Sequence, residues 1–209
     1  SGALANNTTA SNNTAVGYQA GYSNTTGTRN LFQGFQAAYY NTTGNDNTAL
    51  GYGAYGWNTG AASATGSSNT AVGSQALAAN TTASNNTAVG HQASYSGTTA
   101  ANNTVVGYQA AYSNVTGTGL VAVGYQALQA NTADYNTAVG AQSLLNNTTA
   151  SYSTAVGFRT LYQSTGAVNT AIGFYALGSN TTGTENVAVG ASDNVNYSAA
   201  LGNNTTGTK

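Results

Sequence analysis

The chain has 209 residues, of which only 3% are charged, with a formal net charge of -1, no cysteine and no proline. Three basic residues, Arg29, Arg159 and Lys209, make no phosphate-binding surface, and the lack of cysteine excludes disulfides and thiolate metal sites. No run approaches the ~18 consecutive apolar residues of a membrane span, so no transmembrane segment is expected.

From the N-terminus, Ser1-Gly2-Ala3-Leu4 and Asn7-Thr8-Thr9 match the later part of a unit that recurs in full from Asn13 onward. The unit is Asn-Thr-Ala-Val-Gly, then an aromatic, Gln and Ala, often Leu, and then Asn-Thr-Thr-Gly. Its anchoring glycines are Gly17, Gly34, Gly51, Gly73, Gly90, Gly107, Gly124, Gly140, Gly157, Gly173 and Gly190. Successive gaps are 17, 17, 22, 17, 17, 17, 16, 17, 16 and 17 residues. A seventeen-residue period is too short for helical hairpins, which need about 33 residues or more. It suits a β-solenoid coil of two short strands and two turns.

The first expected strand of each coil precedes the glycine, as in Thr14-Ala15-Val16 and Val187-Ala188-Val189. The two-residue period of a strand puts Thr and Val on one face and Ala on the other. The glycine marks a bend or a close backbone approach. A second strand is expected over the aromatic-Gln-Ala stretch (Tyr18, Phe35, Tyr52, Tyr108, Tyr125, Phe158 and Phe174 with the glutamines that follow). Asn-Thr-Thr-Gly is turn chemistry. Stacking coils at ~4.8 Å predicts ladders of Asn, Gln, Thr and Tyr along the axis.

The reading is therefore all-β: residues 1–209 as a single parallel β-solenoid, or β-roll, of about 11–12 coils, with a loop insertion at about 54–68. Val, Leu, Ile and Phe total only 30 of the 209 residues, so the core is thin and association of several chains is expected to support it. Both terminal coils read as open, which predicts flanking repeats or a stacked neighbouring copy.

Sites for chemistry are few. Asp46, Asp134 and Glu185 fall on coils about five and three apart, roughly 24 and 14 Å at ~4.8 Å per coil. A hydrolytic carboxylate pair needs about 5–10 Å. His91 stands at the aromatic position after Gly90 and reads as a substituted ladder residue, not a metal ligand. The Asn-x-Thr sequences at Asn24, Asn41, Asn114 and Asn180 read as turns before glycan acceptors. No catalytic, cofactor or metal site is expected, and the chain reads as no enzyme. The candidates for surface contact are Trp57, which opens the insertion, Tyr55 beside it, and Phe32 in the off-pattern stretch Asn30-Leu31-Phe32-Gln33-Gly34.

The Asn-preceded Thr-Ala-Val-Gly and Val-Ala-Val-Gly units, repeated along the chain, resemble the head repeats of trimeric autotransporter adhesins. The Asn-Thr-Ala-Val-Gly-Tyr-Gln-Ala-Leu arrays are similar to those of phage tail-fibre proteins. The resemblance implies a left-handed β-roll, packed as a homotrimer, in an extracellular, cell-surface or virion fibre that binds a surface glycan or receptor. Two alternatives remain: a subunit stacking end to end into an extracellular filament, and an ice-binding solenoid presenting threonine ladders.

Overall fold

In the computed structural model, which describes residues 2–57 and 63–191, the chain winds as a parallel β-solenoid. Eleven strands form one sheet in sequence order: β1 (Thr14–Val16), β2 (Leu31–Gln33), β3 (Thr48–Leu50), β4 (Thr70–Val72), β5 (Thr87–Val89), β6 (Thr104–Val106), β7 (Val121–Val123), β8 (Thr137–Val139), β9 (Thr154–Val156), β10 (Thr170–Ile172) and β11 (Val187–Val189). Every pairing is parallel, and most set like residues opposite one another, as in Thr137 with Thr154 and Val139 with Val156; β2 departs most, with Phe32 between Ala15 and Ala49.

The sheet turns its alanines inward. Ala49, Ala71, Ala88, Ala122, Ala138, Ala155 and Ala171 have no exposed surface, while Val16, Val89, Val139, Val156, Ile172 and Val189 on the other face are 36–58% exposed and Val72, Val106 and Val123 are partly exposed. Behind the strand alanines lie two further buried rows. One holds Ala37, Ala76, Ala93, Ala110 and Ala127, and the other Leu77, Leu128, Leu144, Leu161 and Leu177. A strand of alanines lets the opposite wall of the coil approach closely, and the leucines of that wall fill the space between.

The opposite wall is not the second strand that the sequence suggested. Gln19, Gln36, Gln75, Gln92, Gln109, Gln126 and Gln142 have φ of 51–58°, and the leucines two residues later have φ of 49–52°. A third left-handed residue precedes each strand by two positions, for instance Arg29, Asp46, Asn85 and Asn102. Left-handed backbone costs a non-glycine residue roughly 1–2 kcal/mol. The bends are held by hydrogen bonds running alternately to both neighbouring coils: Gln36 N–H donates to Tyr18 O (2.8 Å), and Ala38 N–H to Ala54 O (2.8 Å). The backbone is thus satisfied through the turns as well as the strands.

A buried asparagine spine runs beside the apolar rows. The asparagine before each strand uses both ends of its amide. Asn86 Nδ2 donates to Ala100 O of the next coil (2.8 Å), and its Oδ1 accepts the Asn103 N–H (2.9 Å). Asn30, Asn47, Asn69 and Asn103 repeat the pattern. A second row opens each Asn-Thr-Thr-Gly turn, where Asn41 Nδ2 donates to Asn24 Oδ1 (2.8 Å). Asn24, Asn41 and Asn114 have no exposed surface and Asn180 has 2%, so these four amides are closed to glycosylation in the folded chain.

The coils that depart from seventeen residues do so in and just before the Asn-Thr-Thr-Gly turn. The sixteen-residue coils lack the second threonine of the turn, passing directly from Thr132 to Ala133 and from Thr165 to Gly166. The long coil shares that deletion (Thr65-Gly66) and regains its place where Ala64 bridges Asn41. Residues 54–57 and 64–68 therefore belong to the regular coil, and the extra residues fall between Trp57 and Ala64. Within that span 58–62 lie outside the described residues.

Two spine acceptors, Asn41 Oδ1 and Asn80 Oδ1, are buried without a partner. Each faces the one coil beyond it that lacks the donating asparagine: Ala64 follows Asn41, and Gly97 follows Asn80. A Cβ at Gly97 would meet only the rotatable Ser94 hydroxyl at 3.0 Å and backbone at 3.4 Å or more. Gly97→Asn should complete the row and raise stability by about 1 kcal/mol, read as a higher urea midpoint with an unchanged slope.

Candidate functional site

Three residues stood out for surface contact, and the fold disposes of them differently. Phe32 has no exposed surface. It takes an inward alanine position, and the room comes from Gly21 on the preceding coil, where a Cβ would lie 2.6 Å from the Phe32 ring. The off-pattern coil is thus a packing variant, and Phe32 is not a contact residue.

Tyr55 is also fully buried. It stands in the leucine row, and its hydroxyl donates to Gly66 O (2.5 Å). In other coils a turn asparagine serves that acceptor, as Asn114 Nδ2 serves Gly117 O (2.9 Å). Here the asparagine is replaced by Ala64, and the phenol supplies the missing donor from across the core. Burial pushes that hydroxyl well above the ordinary phenol range.

Trp57 is half-buried and engaged within its own chain. Its Nε1 donates to Gln36 Oε1 (2.9 Å), and its ring lies against Gly53, where a Cβ would sit 2.8 Å from it. Elsewhere the Gln36 partner would be the glutamine of the next coil, as Gln109 Nε2 donates to Gln92 Oε1 (2.9 Å). Gly53 stands in that position, so the indole takes over the glutamine's role. Phe32 and Tyr55 present no surface, whereas Trp57 keeps part of its side chain exposed.

What the coils do present are rows. The outward valines and Ile172 run along one side of the glycine row, and the aromatics run along the other. Tyr18, Phe35 and Tyr52 stack at 5.2 and 5.5 Å between centroids, His91, Tyr108 and Tyr125 at 5.4 Å, and Phe158 on Phe174 at 5.5 Å. The rings are 41–60% exposed where measured for Tyr and Phe. Their faces are covered by each other, so they offer edges and hydroxyls outward. Ser74 and Ala141 interrupt the row. His91 stacks on Tyr108 as one more ring of the row, 10° from parallel.

The few charges are dispersed. Arg29 Nε and Nη2 donate to the two carboxylate oxygens of Asp46 (2.6 and 2.8 Å) across one coil step. That hydrogen bond holds the Asp46 carboxyl below its usual range and the guanidinium above its own. Arg159 stands in the glutamine row, donating to Gln142 Oε1 (2.7 Å), with its guanidinium 5.2 Å from the Phe158 and Tyr162 rings. Asp134 accepts from the Thr118 N–H (2.8 Å) as a turn residue. Asp193 and Lys209 lie outside the described residues. Among the described residues no group of three His, Cys, Asp or Glu side chains is placed to hold a metal ion, and there is no helix long and apolar enough to cross a membrane.

No family model, curated protein or solved structure matches this chain. Its chemistry has to be read from the rows themselves. The sequence signal for the exposed apolar strip was the Val-Gly-aromatic triplet. Its meaning emerged only when the strand alanines proved to be the inward residues.

Proposed function

We propose that this chain is a non-catalytic structural and adhesive module of a fibre outside the cell or on a virion. In this reading it associates laterally with further copies of itself. The observation that carries it is the exposed apolar strip. Ten strand-to-strand steps at ~4.8 Å give a strip about 48 Å long, and two rows make it about 10 Å wide, on the order of 500 Å². That is the upper end of what a soluble monomer exposes in one patch. A net charge of -1 leaves little repulsion between copies. The resemblance to adhesin heads and tail fibres points the same way, and an arginine and lysine total of three suits material exposed to proteases.

Sedimentation velocity tests it: the native chain should run as a homo-oligomer. The exposed-face variant Tyr125→Lys/Val139→Lys should run as a monomer with an unchanged far-ultraviolet spectrum. A native chain that stays monomeric at every concentration overturns lateral association, and long fibres by electron microscopy would favour end-to-end stacking instead.

One observation favours the ice-binding reading as a second possibility. The hydroxyls of Thr14, Thr48, Thr70, Thr87, Thr104, Thr137, Thr154 and Thr170 share the outward sheet face. The row is broken at Leu31, Val121 and Val187. Absence of thermal hysteresis removes this reading.

A further inference from the structure

Four tyrosine pairs lie ring over ring on successive coils: Tyr22–Tyr39, Tyr95–Tyr112, Tyr108–Tyr125 and Tyr135–Tyr152. The last differs from the rest. Its centroids are 5.5 Å apart with the rings 12° from parallel. Tyr135 is 55% exposed and Tyr152 62%, the latter more than any other large hydrophobic side chain described. Both stand at the left-handed corner before a strand, with φ of 54° and 62°. Other coils place Asn12, Ser68, Asn85, Asn102 or Gly119 at that corner. A bulky aromatic is poorly suited to it, and here two stand there in succession. The pair is also bounded. Tyr135 lies over Gly119, where a Cβ would sit 2.7 Å from its ring, and the corner beyond Tyr152 holds Val168. No third phenol continues this row, so a radical formed on one ring has the other as its neighbour in the stack.

We propose that Tyr135 and Tyr152 are a site of oxidative cross-linking, joined as dityrosine by a haem peroxidase using hydrogen peroxide. Each phenol gives up one electron and its hydroxyl proton, leaving two phenoxyl radicals. The radicals couple through ring carbons ortho to the oxygens, forming one carbon–carbon bond. The hydrogen on each coupled carbon then moves to its phenol oxygen, restoring both aromatic rings. Hydrogen peroxide takes up the two electrons and two protons and leaves as two waters, so the chain becomes lighter by two hydrogens. The bond would staple the β8 and β9 coils together across seventeen residues of sequence. It rests on the coil stacking alone and stands whether or not the fibre reading does.

The test treats the folded chain with a haem peroxidase and limiting hydrogen peroxide, followed by thermolysin digestion and mass spectrometry. The expected result is an unaggregated chain two hydrogens lighter, with a linked peptide pair carrying Tyr135 and Tyr152 as the main cross-link. Tyr152→Phe keeps a ring in the stack and should abolish that pair while leaving the far-ultraviolet spectrum unchanged. In urea the preference should vanish. Cross-links mainly at the other stacked pairs, links only between chains, or an equal yield of the Tyr135–Tyr152 link in urea would each overturn the proposal.

Discussion

Replacing Gly107 with alanine should break the solenoid near its middle. The backbone of Gly107 has φ of +139°, a region essentially closed to residues with a side chain. An added Cβ would also sit 2.7 Å from the carbonyl carbon of Gly124 on the next coil, closer than real contacts allow. That carbonyl belongs to a backbone that cannot yield cheaply, because Gly124 N–H is tied to Val106 O at 2.8 Å. Backbone strain and overpacking together should cost about 3–6 kcal/mol. Coils hold only their immediate neighbours, so the loss at one junction divides the stack into two shorter ones. Urea unfolding followed by circular dichroism should show an early transition or none that is cooperative. Gly97→Ala, at a glycine without positive φ, provides the comparison and should leave the midpoint nearly unchanged.

Asn103→Ala should be the most damaging change of a side chain in the polar spine. Asn103 Oδ1 accepts the buried Leu120 N–H (2.8 Å), and Nδ2 donates to Gly117 O (3.0 Å). Gly117 O keeps a second donor in Asn114 Nδ2 (2.9 Å), whereas Leu120 N–H is left with nothing. One stranded amide costs about 1–3 kcal/mol. With the lost packing the total should be about 2–4 kcal/mol. The chain contains its own partial rescue. At the equivalent position Ser153 Oγ accepts the Asn169 N–H at 3.2 Å. Asn103→Ser should therefore lose clearly less than Asn103→Ala. Equal losses in urea denaturation would mean that the hydrogen bond to Leu120 carries little of the stability.

The glycine row was legible from spacing, and so was the coil stacking, because each needs only a residue type repeated at a fixed interval. All eleven strands end one residue before an anchoring glycine. The buried role of the asparagines was only half legible. Asn and Thr in a turn look alike whether the turn faces water or the core, and Asn24 and Asn41 gave no signal that they would have no exposed surface. The aromatic-Gln-Ala stretch read as a strand because its alternation matches one. The left-handed turns arise because a three-residue strand leaves the remainder of each coil to complete the circle.

Trp57 and Tyr55 depart from the repeat, and the sequence alone suggests surface contact for both. What makes them unusual is repair: one replaces a missing glutamine and the other a missing asparagine donor. Such exchanges join residues that sequence spacing does not pair.

By itself the sequence determined that successive units lie in register, since identical blocks place identical hydrogen-bonding groups over one another. Only the tertiary structure decided that alanine faces in and valine out. Period two defines two faces without saying which is buried. That choice is set by how near the opposite wall of the coil can come, and a wall of close left-handed turns leaves room for a methyl group but rarely for more.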